Sequence, residues 1–267
     1  MSRAAAIAIA AHPDDIEFTM AGTLCLLREA GFRTHYLTIA NGSCGSLEWG
    51  AAALRKIRRR ESQRAAKVLG AQFHPSRVDD MEILYSVRLL RWLAGIIREV
   101  RPTIVLTHSP QDYMEDHTNA ARLAVSAAFV RGMPNFRSAP SWPVFPGDAT
   151  VYHAMPHGLR DGLGRRVAAG AFVDTTSVHQ TKLAALACHV SQQSWLKVTQ
   201  GMNSYLKEME RGSLHMGQRS RRFQHAEGWR RHAHMGFCAA GADPLRAALG
   251  RKYRVNAAYE RALERSA

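Results

Sequence analysis

The chain opens on an unbroken apolar run, Ala4–Ala11, that ends in the turn His12-Pro13-Asp14-Asp15. A strand without polar alternation is one covered on both faces, as in a parallel sheet flanked by helices. Ile16–Ala30 follows with helical spacing and Gly31 at its end, a residue suited to a left-handed C-terminal position. Thr34–Ala40 is predicted as a second strand and leads into Asn41-Gly42-Ser43. Arg55–Leu69 predicts a helix closed by Gly70, and Tyr85–Val100 another, ended by Arg101-Pro102. Thr103–Thr107 is a β-branched strand, followed by a polar loop and a helix over Thr118–Val130. Residues 133–170 form a stretch richer in Pro and Gly, and short strands are predicted at Ala149–Ala154 and Ala171–Asp174. Thr176–Val190 is predicted helical, and Gln200–Ala267 basic and mostly helical. Strand–helix alternation of this kind predicts an α/β, Rossmann-like three-layer fold with a mostly parallel sheet. With no internal repeat and no long linker, residues 1–267 read as a single domain with a basic, mostly helical C-terminal region from about 200.

Composition narrows the class. In 267 residues, 46% are hydrophobic and 22% charged, which excludes disorder and supplies a real core. No apolar run approaches the roughly 20 residues needed to span a bilayer. One Arg precedes the first apolar run, no cleavage region follows it, and it ends in acids, so it reads as a buried strand and not a signal peptide. The expectation is a cytoplasmic protein. Four cysteines stand far apart with no C-x-x-C pair, which argues against a disulfide framework and a cysteine zinc site. The formal net charge of +14 is concentrated in Arg55–Arg64 and Arg211–Arg231. Both clusters read first as solvated helix faces. The excess also suits an anionic small molecule, and nucleic acid is not the expected partner.

The turn after the first strand is HPDD, so the usual glycine fingerprint of a dinucleotide site is missing. Ligands in open parallel sheets bind beyond the carboxyl ends of the strands. Three predicted strand ends carry polar groups there: His12, Asp14 and Asp15; Asn41; and His108, with Asp112, Asp116 and His117 just beyond it. His12-x-x-Asp15 lets an imidazole and a carboxylate face one ion from a single turn, and His117 could add a distant third ligand. Three N/O ligands leave a position open for water, the arrangement of a catalytic zinc. Asp14 beside such an ion could take a proton from that water, and Asp116 could orient an imidazole. The competing reading is that Asp14 and Asp15 merely cap the next helix.

These segments resemble the PIG-L/LmbE-like zinc N-deacetylases. AHPDDIEF is similar to the family's AHPDDxE signature, and HSPQDYMEDH to its second metal motif. NGSCGS resembles its T-N-G loop, RRRESQRAAKVLG its R-x-x-E helix, and KLAALACHVSQ and HAEGWR its later segments. The likeness runs from about residue 4 to 230, in order. It implies hydrolysis of an N-acetyl or other short N-acyl group from an amino-sugar-containing molecule, giving an amine and a carboxylic acid. By motif, His12, Asp15 and His117 would bind Zn2+, Asp14 would be the general base and Asp116 would assist. Arg58, with Arg59 beside it, would contact a substrate hydroxyl or phosphate, unless it is paired with Glu61 on its own helix. Asp80, in VDDMEI, falls where the family often places a sugar-binding acid, and Asn41 and His189 join it as expected substrate contacts. The chain departs from the family at Met114, where many members have a histidine that serves the oxyanion or the leaving amine. His108, His153 and His189 are the candidates to replace it, with His108 taken as the catalytic one. Ser43 stands where some relatives place a carboxylate.

Two other functions are compatible with the same residues: an amidase on a sugar–thiol conjugate or antibiotic glycoside, and a non-catalytic carbohydrate-binding relative, which Met114 would favour. Homo-oligomerisation is left open.

Overall fold

The computed structural model describes residues 3–200 and 205–265. Its strands are β1 (Ala5–Ala10), β2 (Arg33–Thr38), β3 (Gln72–His74), β4 (Ile104–Thr107), β5 (Thr150–Ala154), β6 (Ala171–Asp174), β7 (Ala226–Arg231) and β8 (Tyr253–Val255). They form one sheet in the order β3-β2-β1-β4-β5-β7-β6-β8. The first five are parallel, and β7, β6 and β8 extend the sheet antiparallel. The architecture is the expected three-layer α/β one. The chain order reverses between β1 and β4, which opens a crevice above their carboxyl ends.

The helices are α1 (Asp15–Thr19), α2 (Ala21–Glu29), α3 (Ala51–Leu69), α4 (Val87–Val100), α5 (Glu115–Phe129), α6 (His179–Leu186), α7 (Val190–Gln200), α8 (Tyr205–Ser220), α9 (Pro244–Leu249) and α10 (Ala257–Arg265). β1 shows why its run is apolar throughout. Ala5, Ile7 and Ile9 pack with α4 and α5 on one face; Ala6, Ala8 and Ala10 pack with α2 and α3 on the other. No helix of the described residues is long and apolar enough to cross a membrane.

Several expectations need correction. The helix expected over Ile16–Ala30 is broken at Met20, whose φ of −134° starts a new helix. The cause is Glu227, from β7, whose carboxylate accepts from the amides of Gly22 at 2.9 Å and Thr23 at 2.8 Å. A buried acid thus caps α2 from across the fold. Thr176–Val190 is likewise interrupted between α6 and α7. The region after residue 200 is not only helical: β7 and β8 lie in it, because its alternation is masked by arginines at the sheet's open end. Its residues 201–204 and 266–267 lie outside the described ones. α5 starts at Glu115, ahead of the expected Thr118, so Asp116 and His117 sit in its first turn. Tyr85–Val100 begins at Val87 behind Ser86, whose hydroxyl accepts from Leu89 N.

Glu227 also accepts from Lys182 Nζ at 2.7 Å, both side chains being fully enclosed. Glu227→Ala would uncap α2 and leave the lysine buried without a counter-charge. An unfolding free energy lower by about 3–5 kcal/mol is expected in denaturant titration, and adding Lys182→Met should restore part of it. A double variant no more stable than Glu227→Ala would show that the stranded lysine is not the cause.

Candidate active site

The HPDD turn is a compact local structure. The carboxylate of Asp15 reaches back to accept from His12 N at 2.7 Å, and Asp14 holds a φ of 101°. That backbone region is costly for a non-glycine residue and is kept where the surroundings enforce it. The constraint turns Asp14 and Asp15 to different neighbours.

Asp15 lies among three imidazoles. Its Oδ2 is 3.4 Å from His12 Nδ1 and 3.3 Å from His108 Nε2, and its Oδ1 is 3.4 Å from His117 Nε2. His12, Asp15 and His117 each place a ligand atom within 4.8 Å of the other two. Each outer histidine is held from behind by a carboxylate. His12 Nε2 meets Asp116 Oδ2 at 2.9 Å, and His117 Nδ1 meets Asp112 Oδ1 at 3.0 Å. Asp116, which also accepts from Met81 N at 2.7 Å, therefore orients His12 and not its neighbour His117. This leaves Nδ1 of His12 and Nε2 of His117 turned toward Asp15.

The electrostatics follow. Burial opposes charge on His12 and His117, but the surrounding carboxylates win and raise them to about 9 and about 10. Burial likewise works against the Asp15 carboxylate, yet His117 and His108 hold it well below the usual range. A cluster that collects protons around a buried carboxylate is one a divalent cation can occupy in their place. The donor set of two imidazoles and a carboxylate suits zinc.

Asp14 faces the other way. Its Oδ2 accepts from the hydroxyl of Tyr205 and lies 3.9 Å from Arg58 Nη2. Burial pushes its carboxyl up to about 6, against the lowering influence of Arg58. Arg58 is itself enclosed and donates to Pro13 O at 2.7 Å. Its Nε and Nη1 have no hydrogen-bond partner among the described residues. The pairing with Glu61 is not made: that carboxylate accepts from the amide and hydroxyl of Ser191. The basic run thus divides, with Arg55, Arg59, Arg60 and Arg64 exposed and Arg58 alone turned inward.

A cavity of about 280 Å³ opens over these groups, and Asp14, Asp15, Arg58, Asp80, Tyr113 and His157 are on its wall. The other expected contacts are placed differently. Asp80 accepts from the amides of Gly42 at 2.7 Å and Cys44 at 3.0 Å, so it also shapes the 41–44 loop. Asn41 donates to Asp79 at 2.7 Å and does not line the cavity. His189 is fully buried against Glu17 at 3.1 Å and does not line it either. His108 does line it and stacks on His117 with centroids 4.2 Å apart. Its Nε2, however, accepts from Ala11 N at 2.9 Å, and burial keeps the ring below its ordinary pKa. As a neutral ring it has only Nδ1–H to donate. His153 lies behind it, bonded to His108 O at 2.8 Å. Ser43 is buried beside Asp80 N, and Met114 does face the cavity.

Tyr205 and Arg230 escaped the sequence reading as site residues, and Asp112 was named beyond the strand end but given no role. Tyr205 is 191 residues from Asp14, and nothing in its local pattern marks it. Asp112 had a signal, since it stands five residues before His117 at a helix start. Arg230, in the HAEGWR segment, donates to Ser109 at 2.6 Å and to Gln111, and so anchors the loop that leads to Asp112.

The family model of PIG-L, GlcNAc-PI de-N-acetylase, matches residues 7–128. The matched segment carries His12, Asp14, Asp15, Arg58, Asp112, Asp116 and His117, whereas Tyr205 and Arg230 come from outside it. The chain is 29% identical to the diacetylchitobiose deacetylase of Thermococcus kodakarensis over 195 residues, 70% of this chain and 69% of that protein. It is also 29% identical to the 4-oxalmesaconate hydratase of Pseudomonas putida over 196 residues, 70% of this chain and 74% of that one. A solved 4-carboxy-2-hydroxymuconate hydratase of Pseudomonas putida superposes with a TM-score of 0.72 at 26% identity, covering 85% of this chain and 95% of that one.

Gly42 gives a direct test of the Arg58 placement. It sits at φ +78°, and a Cβ there would collide with Nε of Arg58. Gly42→Ala is expected to displace the guanidinium and lower stability by about 1–3 kcal/mol, seen as a lower Tm and a shifted Arg58 in a crystal structure. An unchanged Tm would mean that Arg58 is free to move aside.

Proposed function

We propose that the protein is a zinc-dependent hydrolase that removes an acetyl or other short acyl group from the nitrogen of an amino-sugar-containing small molecule. The observation that carries this reading is the pairing, in one cavity, of a His12–Asp15–His117 ligand set with a buried carboxylate, Asp14, that is not part of it. Support comes from the PIG-L match and from the deacetylase relative. His12, Asp15 and His117 would hold a zinc ion there, and the ion would supply Lewis acidity for a bound water and an amide carbonyl.

The protein's own groups account for the rest. Tyr205 engages Oδ2 of Asp14, so Oδ1 is the oxygen that receives the proton of the attacking water. The same oxygen can deliver that proton to the departing nitrogen, which gives base and acid in one residue. Asp116 and Asp112 fix the ring orientations of His12 and His117. Met114 cannot serve the oxyanion, and the neighbouring Tyr113 can. Its phenol lines the cavity, its ring stands edge-on to His117 with centroids 5.5 Å apart, and, although the side chain is half-exposed, its pKa is raised, so the phenol stays protonated. The unpartnered nitrogens of Arg58 suit a hydroxyl or an anionic group of the substrate, in keeping with the +14 net charge.

A second reading, hydration of an unsaturated carboxylate, is favoured by the hydratase relatives and by the apolar Met114. It would use the same base and ion on a different electrophile.

Zinc-loaded protein incubated with a panel of N-acetylated sugars should release free amine, and chelator should abolish the release. Loss of absorbance from a conjugated unsaturated carboxylate, with no amine release, would instead support hydration. Asp15→Ala should lose the cavity's metal and its turnover together. Asp14→Asn should keep metal and lose at least about 100-fold in kcat, and Tyr113→Phe about 100-fold through the lost oxyanion donor. Full activity in Asp14→Asn would show that the base is another group.

A further inference from the structure

Outside the cavity, two histidines and a glutamate converge in a place that the proposed chemistry does not use. His179 opens α6, Glu210 lies midway along α8, and His225 immediately precedes β7. One ligand atom of each lies within 4.8 Å of the others. The two imidazoles stack with centroids 3.8 Å apart and planes at 15°. His179 is 3% exposed and His225 8%. Neither ring nitrogen of His179 has a hydrogen-bond partner among the described residues, nor has Nδ1 of His225.

Buried polar atoms without partners are destabilising and uncommon. Here three fall in one cluster, beside a half-buried carboxylate. Elsewhere in the molecule buried histidines are satisfied at one ring nitrogen at least: His35 by His74, His153 by His108 and His232, His189 by Glu17. Burial, followed by the nearby His225 and Lys182, lowers His179 to about 4, so its ring is neutral near pH 7 and keeps a lone pair. The Lys182 charge that faces both rings is matched by Glu227.

We propose that His179, Glu210 and His225 form a second divalent-metal site, separate from the cavity, of the kind that takes zinc. Two neutral imidazoles and one carboxylate are a zinc-type donor set with room for water as a further ligand. Rotation of the rings out of their stack turns the orphaned lone pairs toward a shared ion, and half-buried Glu210 gives the ion access from solvent. The site joins three elements. The backbone of His225 is already tied to Thr175 at 3.0 Å and to Thr176 at 3.1 Å, so an ion bound to Glu210 fastens α8 to that frame. α8 begins at Tyr205, the donor to Asp14, so the second ion acts as a positioning clamp for that residue.

The test uses the full chain, stripped with chelator and titrated with zinc alone in a calorimeter, with metal analysis after gel filtration. Wild type should bind two equivalents, Asp15→Ala one, His225→Ala one, and the double variant none. In the Asp15→Ala background zinc should still raise Tm by several degrees, and Glu210→Gln, which keeps both rings, should weaken that binding at least about tenfold. Should His225→Ala not fold, the Glu210→Gln titration decides. Stoichiometry and Tm shifts that His225→Ala and Glu210→Gln leave unchanged would overturn the proposal. An Asp15→Ala variant that binds as many ions as wild type would instead count against the reading of the cavity, so the two failures are distinguishable.

Discussion

The Asp15 carboxylate, set at the end of a fully buried strand, has to be matched by positive charge, and the surrounding structure supplies it from two imidazoles, His12 and His117. Without an ion, His12 and His117 are held protonated around it. With one, on the proposed reading, the same rings would become ligands and would give up their protons. This competition between protons and a cation for one buried carboxylate explains why each outer histidine is backed by a second acid. Asp116 behind His12 and Asp112 behind His117 fix which nitrogen faces inward in either state. A ring free to flip would spoil the ligand set.

The fold provides the rigidity that this arrangement needs. β1 and β4 are neighbours, so the turn after one and the loop after the other meet above the sheet. The antiparallel extension then reaches back to that meeting point. From β7, Arg230 anchors the loop after β4, while Glu227 caps α2 and neutralises Lys182. The sheet's second half thus stabilises the site formed by its first half, and α8 adds Tyr205 to Asp14 from still further along the chain.

Much of this was legible in the sequence where the determinants are local. The apolar run of β1, the HPDD turn and the D-x-x-x-D-H segment lie within short windows, and they led to His12, Asp14, Asp15 and His117 as one cluster. Long-range determinants were not legible. The break at Met20 depends on a carboxylate 205 residues away from Gly22. Arg58 was recognisable as a candidate, but its choice of Pro13 and Asp14 over Glu61 depends on how α3 is rotated against the turn. Asn41 and His189 had the right residue types at plausible places, yet Asp79 and Glu17 already occupy them. β7 was hidden because Glu227, Trp229 and Arg230 each serve a different tertiary partner, which leaves no period-2 pattern to read.

The central claim is that His12, Asp15 and His117 share one divalent ion beside Asp14. Diffraction from zinc-loaded crystals at the zinc absorption edge tests it most directly. The account predicts an anomalous peak about 2.0–2.2 Å from Nδ1 of His12, a carboxylate oxygen of Asp15 and Nε2 of His117, with Asp116 still bonded to the far nitrogen of His12. A fully loaded crystal with no peak at that position, or with His12 turned so that Nδ1 faces away, would contradict it.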